Sequence, residues 1–188
     1  ISDVCLKRKI RNRLQDMGEN IFVQSADRAQ DGYNNLRDRA ESELKEAKKD
    51  REGYMALACE KWIDVRSFGQ VFAFKDGGKK GAGESDEKGV SVGIRGPVSI
   101  RTAVSASPVD IDYFRITKSV NGEPTKNGIK SSDTMGEKHF VRFGLYTFSG
   151  SINCFLAEKT GFDINDAEKI REALCTLFEN DVSSARPD

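Results

Sequence analysis

Histidine is almost absent from this chain: His139 is the only one in 188 residues. That excludes any catalytic pair or metal site built on two imidazoles. Net charge is absent too, because 30 Lys/Arg cancel 30 Asp/Glu, so no global field argues for a polyanionic partner. The four cysteines, Cys5, Cys59, Cys154 and Cys175, form no CxxC pair and give a zinc site no support. Cys5, Cys59 and Cys175 fall in helical stretches and read as buried or half-buried thiols. There is neither a long apolar run nor a signal peptide pattern, so the expectation is a cytoplasmic protein with no membrane partner. The glycine-rich stretch 75–89 lacks a GK[ST] ending; it is no P-loop and reads as a mobile loop. No cofactor and no metal are expected. The start at Ile1 instead of Met reads as a trimmed fragment.

What is present begins at the first residues. Ser2 or Asp3 can cap a helix, and Leu6, Ile10 and Leu14 recur every four residues as its apolar seam. Lys7, Arg8 and Arg11 project together on one side of that seam; Lys9 and Arg13 flank the other. Charge is also sorted along the chain. Residues 88–142 carry nine Lys/Arg against five Asp/Glu, and residues 158–188 carry four against eight. A basic middle and an acidic end suit a protein that offers one surface to a polyanion and another to something else.

Residues 19–53 are charge-rich without a sustained apolar stripe and read as an exposed helical insertion, with Glu41 and Lys45 at i,i+4. Residues 54–61 read as a buried helix. Residues 62–74 read as a strand, with Gly69 marking a bulge or a close approach. Residues 90–116 are strand-rich, with Pro97 and Pro108 at an edge or a bend, and Asn121-Gly122 is a hairpin signal. Residues 139–155 read as the longest strand. Its aromatics, Phe140, Tyr146 and Phe148 on one face and Phe143 on the other, are expected in the core. Residues 163–178 read as an amphipathic helix with an Asn165/Glu168 capping box and a stripe of Ala167, Ile170, Leu174 and Phe178; Pro187 follows it.

The first helix resembles that of the backbone subunit of type I-C CRISPR interference (Cascade) complexes, a RAMP-superfamily family. Four more strings are similar to that family, in its order. They are Trp62-Ile63-Asp64-Val65-Arg66-Ser67-Phe68-Gly69-Gln70-Val71, Ile94-Arg95-Gly96-Pro97-Val98-Ser99-Ile100, the run from Asp133 through Val141 with Phe143-Gly144-Leu145-Tyr146, and Leu156-Ala157-Glu158-Lys159-Thr160-Gly161-Phe162. The resemblance implies an α+β, ferredoxin-like (RRM-like) RAMP palm over 1–18, 54–103 and 139–188. It also implies a helical insertion at 19–53 and a thumb-like β-hairpin arm at 104–138. The family's palm has an outer strand at each end, and both would lie beyond Ile1 and Asp188. The implied function is a non-catalytic subunit that polymerises along CRISPR guide RNA (crRNA) in antiviral defence. Its partners would be that RNA, neighbouring copies, other Cascade subunits and, through the guide, target DNA. RNA contacts are implied for Lys7, Arg8, Arg11, Arg66, Arg95, Arg101, Met135, Lys138 and His139, with Met135 as a wedge beside a displaced base.

Two other readings stay open. RAMP proteins include RNA-cleaving enzymes, so His139 could serve as general base of an endoribonuclease acting on precursor crRNA. A solitary single-strand RNA-binding module is the third reading. Asp110 and Asp112 share a strand face and could hold a divalent ion, although a solvated face explains them better. No catalytic residue and no metal ligand is assigned.

Overall fold

The computed structural model describes residues 1–47, 50–73, 91–117 and 135–182. It divides into two compact units, Ile1–Thr102 with Ser149–Asp188, and Ala103–Phe148. The expectations for the 75–89 loop, the Asn121-Gly122 turn and Pro187 lie outside the described residues.

In the first unit, α1 (Asp3–Asp16) forms as the sequence dictates. Ser2 accepts a hydrogen bond from Cys5 N–H, and Leu6, Ile10 and Leu14 are buried. The helix packs against α6 (Ile164–Cys175) and β3 (Val98–Ile100). Next come a 3-10 turn (Ala26–Arg28), α2 (Leu36–Glu43), a second 3-10 turn (Lys45–Ala47) and α3 (Arg51–Lys61). The stretch expected to be an exposed insertion contributes to the core: Phe22, Ala40 and Leu44 are fully buried beside Tyr54, Trp62, Phe72 and Val92. Phe22 sits at its centre, 4.7 Å from Trp62 and 5.1 Å from Phe72 between ring centroids. Glu41 pairs with Arg37 at 2.9 Å.

The strand expected over 62–74 is corrected. Ile63–Phe68 is a helix, α4, and the strand β1 covers only Gly69–Ala73. β-branched Ile63 and Val65 suggested a strand, but tertiary contacts override that weak preference. Ile63, Asp64, Val65 and Ser67 are all buried, on more than one side of the helix. Gly69 ends it at φ +79°. A Cβ there would collide with the carbonyl of Ile94 and lie 2.6 Å from Gly96 N, so Gly69 does mark a close approach.

β1 pairs antiparallel with β2 (Ser91–Arg95), Gly69 opposite Arg95. Phe72, Val92 and Ile94 point inward, while Val71 and Gly93 face out. β3 pairs antiparallel with β8 (Gly150–Ile152). α5 (Cys154–Thr160) starts directly after β8, so the long strand expected over 139–155 is broken into shorter pieces and a helix. α6 carries its capping box on Asp163 and Asp166, not on Asn165 and Glu168. Its buried side is Ile170 and Ala173, continued by Leu177; Phe178 is 70% exposed.

In the second unit, β4 (Val104–Ser105) pairs with β7 (Tyr146–Thr147), and β5 (Ile111–Thr117) forms an antiparallel ribbon with β6 (Met135–Val141). The described strands therefore form four two-stranded antiparallel ladders in an α+β chain. Of the aromatics expected in the core, Tyr146 is half-buried, Phe140 and Phe148 are exposed and Phe143 is 85% exposed. A two-stranded ribbon has no second layer to cover either face.

Candidate nucleic-acid interface

The basic residues of α1 face two environments. On one side Lys7 reaches Asp3 at 3.2 Å one turn away, and Arg8 approaches Asp27 at 3.9 Å with both side chains mostly in solvent. The Arg8 pair is exposed and weak, and the half-buried Lys7 pair spans only one helical turn, so both cations can still meet a phosphate. Arg11, expected beside them, turns inward. Its Nε donates to the Asp64 carboxylate at 3.0 Å, and its guanidinium lies 5.1 Å from the Phe68 ring centroid. Asp64, 1% exposed, also accepts the backbone N–H groups of Phe22 at 2.8 Å and Val23 at 3.1 Å.

On the other side the cations are covered. Lys9 is buried, ion-paired with Asp181 and 5.3 Å from the Phe178 ring centroid. Arg13 donates to Thr176 Oγ1 at 2.7 Å and to Glu179 at 2.6 Å.

Arg66, on α4, is likewise held inside the unit. Its Nε and Nη2 both donate to Asp166 at 2.7 Å, and its Nη1 donates to the Cys59 carbonyl at 3.2 Å. This fork keeps its proton more tightly than an ordinary arginine, mainly through the Asp166 bonds. Arg95 closes β2 and Arg101 follows β3; both are exposed. Burial pushes the Cys59 thiol up to about 11, so it is no nucleophile at neutral pH.

The second unit holds the remaining expected contacts on its β5–β6 ribbon. Tyr113 stands opposite His139, Phe114 opposite Lys138 and Thr117 opposite Met135. Alternation puts Tyr113, Arg115, Glu137 and His139 on one face and Phe114, Ile116, Lys138 and Phe140 on the other. Phe114 and Phe140 stack with centroids 5.2 Å apart and planes 14° from parallel, yet are 56% and 37% exposed. His139 Nε2 is 3.7 Å from Glu137, with both side chains more than half exposed. Asp112 accepts from Arg142 Nε at 2.9 Å. Among the described residues no group of three or more His, Cys, Asp or Glu side chains could hold a metal.

Lys7, Arg8 and Arg11 thus share a helix but not an environment, and sequence reasoning missed the partners that divide them. It also missed Tyr113 and Phe114, although the alternation of Ile111, Tyr113 and Arg115 against Asp112, Phe114 and Ile116 was visible. Among the described residues no helix is long and apolar enough to cross a membrane. The family model for CRISPR-associated protein Cas7 matches residues 1–188. No curated protein matches the chain.

Proposed function

We propose that this chain, which belongs to the Cas7 family of CRISPR-associated proteins, is the non-catalytic backbone subunit of a type I-C interference complex. Family membership implies a CRISPR-associated backbone subunit of a crRNA-binding effector complex. The match across the whole chain carries the backbone-subunit role; the subtype rests on the resemblance of the sequence strings, and the lack of a cleavage activity of its own is our reading. In this reading residues 1–18, 54–103 and 139–188 make a ferredoxin-like RAMP palm, 19–53 a helical insertion and 104–138 a thumb-like arm, in a cytoplasmic assembly.

Lys7, Arg8, Arg95 and Arg101 hold guide phosphates as point charges without reading bases. Arg11 and Arg66 act from inside: their carboxylate partners fix the helices that present the surface. Lys138, His139 and Met135 contribute from the ribbon. Copies add head-to-tail along the RNA in an open array, and base pairing by the guide reads the target. The solvated setting of His139 supports binding over catalysis, because an effective general base is held in place against its substrate by fixed partners.

The test is guide-RNA binding by the protein and by Lys7→Ala/Arg8→Ala over a range of salt. We expect weaker binding, equally so for unrelated guides, and a log K against log[salt] slope flatter by ~0.7 for each phosphate no longer neutralised. Unchanged affinity overturns the assignment of these residues. The neighbouring Glu137 keeps the endoribonuclease alternative in view. Cutting of precursor RNA that disappears in His139→Ala would establish it.

A further inference from the structure

The turn after α6 covers half of the basic surface of α1, and it has no part in the backbone role proposed above. Three cations from two parts of the chain converge on residues 176–181. Lys9 pairs with Asp181 and lies beneath Phe178. Arg13 bonds Thr176 and Glu179. Arg28 donates to the Asn180 carbonyl at 2.9 Å and pairs with Asp16. The turn closes on itself where Glu179 N–H donates to the Thr176 carbonyl at 3.0 Å. Asn180 adopts φ +55°, a left-handed conformation that only a few non-glycine residues tolerate, and Phe178 and Val182 are exposed. Leu177 anchors its start in the core, and beyond Leu177 its contacts with α1 and Arg28 are ionic and polar. Two carboxylates, the Thr176 hydroxyl and a backbone carbonyl therefore accept from Lys9, Arg13 and Arg28.

We propose that residues 176–181 form an electrostatic latch, an internal polyanion mimic that competes with RNA for Lys9, Arg13 and Arg28. The proposal rests on the guide-RNA reading and adds a regulation to it. With the latch closed, RNA meets only the Lys7/Arg8 side of α1. With it released, the phosphate-binding surface continues around the helix. Linkage makes the effect reciprocal: RNA that engages these cations must loosen the turn by the same factor that the turn weakens RNA binding.

The experiment measures RNA binding by the wild type, by Glu179→Gln/Asp181→Asn, and by Glu168→Gln/Glu172→Gln. The last makes the same charge change at exposed positions of α6. Thermal melting confirms that each variant is folded. We expect Glu179→Gln/Asp181→Asn to bind about 5-fold tighter or more. Its salt slope should steepen by ~0.7 for each cation freed, while the control stays within twofold of wild type. Equal gains in both variants would mean that overall charge alone matters, and would overturn the latch. So would wild-type binding with no gain in the latch variant. No RNA binding by any of the three, wild type included, overturns the guide-RNA reading itself. If Glu179→Gln/Asp181→Asn fails to fold, hydrogen exchange on the wild type decides. Faster exchange at residues 176–182 when RNA is bound supports the latch, and unchanged or slower exchange overturns it.

Discussion

Asp64 shows how one side chain can hold several segments together. It accepts two backbone N–H groups from the chain after α1 and the guanidinium of Arg11. Asp64→Asn keeps the shape but removes the charge and strands Arg11. Breaking a pair this buried costs about 3 kcal/mol, read as a lower urea midpoint; an unchanged midpoint would show that the pair is dispensable. Asp31 gives a milder, pH-dependent case. Its two oxygens take Arg39 Nε at 2.6 Å and Nη2 at 2.8 Å, and these bonds hold its carboxyl below the ordinary value of 3.8. A carboxyl lowered on folding stabilises the fold at pH above its unfolded value, and that contribution disappears as pH falls through the folded one. Stability measured from pH 6 downward should therefore decline below about pH 4, and Arg39→Gln should remove this component of the decline. Neither partnership was legible in the sequence. Arg11 and Asp64 are separated by 53 positions, and no local period links them.

At the scale of elements, legibility follows the range of the forces. α1 was readable because its cap and its i,i+4 seam are local. α6 was readable as a helix, but its inward stripe was not. Ala167, Ile170, Leu174 and Phe178 fit the period as well as Ile170, Ala173 and Leu177 do, and only packing in the folded unit selects the second set. α4 was misread because what makes it helical lies elsewhere: Asp64 bonds the segment after α1, and Arg66 bonds Asp166 on α6. The turn from α4 to β1 makes a testable point of that geometry. Gly69 is at φ +79° with the backbone of Ile94 and Gly96 against it, whereas a Cβ at Gly93 meets nothing within 4 Å. Gly69→Ala should cost about 3 kcal/mol, and Gly93→Ala should stay within about 0.5 kcal/mol of wild type. Equal midpoints for the two variants in chemical denaturation would remove the close approach as the reason for the glycine.

For the whole molecule, the division into two units has a simple consequence. The chain leaves the first unit just beyond β3 and returns just before β8, where Arg101 N–H still bonds the Ser149 carbonyl at 2.9 Å. β3 and β8 are therefore two arms of one antiparallel ladder whose connection has grown into a unit of its own. The core around Phe22, Trp62 and Phe72 lies wholly in the first unit, while Tyr113, Phe114, Phe143 and Leu145 in the second are exposed. Exposed apolar groups at this density contribute little to the stability of the unit that carries them and suit a surface that contacts something else. Replacing Ala103–Phe148 with Asn-Gly leaves a three-residue hairpin loop, Thr102-Asn-Gly, which is short enough to keep the ladder in register. The shortened protein should keep its helical circular dichroism and a cooperative melt. On the proposed backbone role, it should also keep the Lys7/Arg8 contribution to RNA affinity, yet light scattering after RNA is added should show no repeating array, whereas the full chain should form one. Loss of the cooperative melt would show that the first unit depends on the second for its fold. Array formation at wild-type length would place the contacts between copies in the first unit instead.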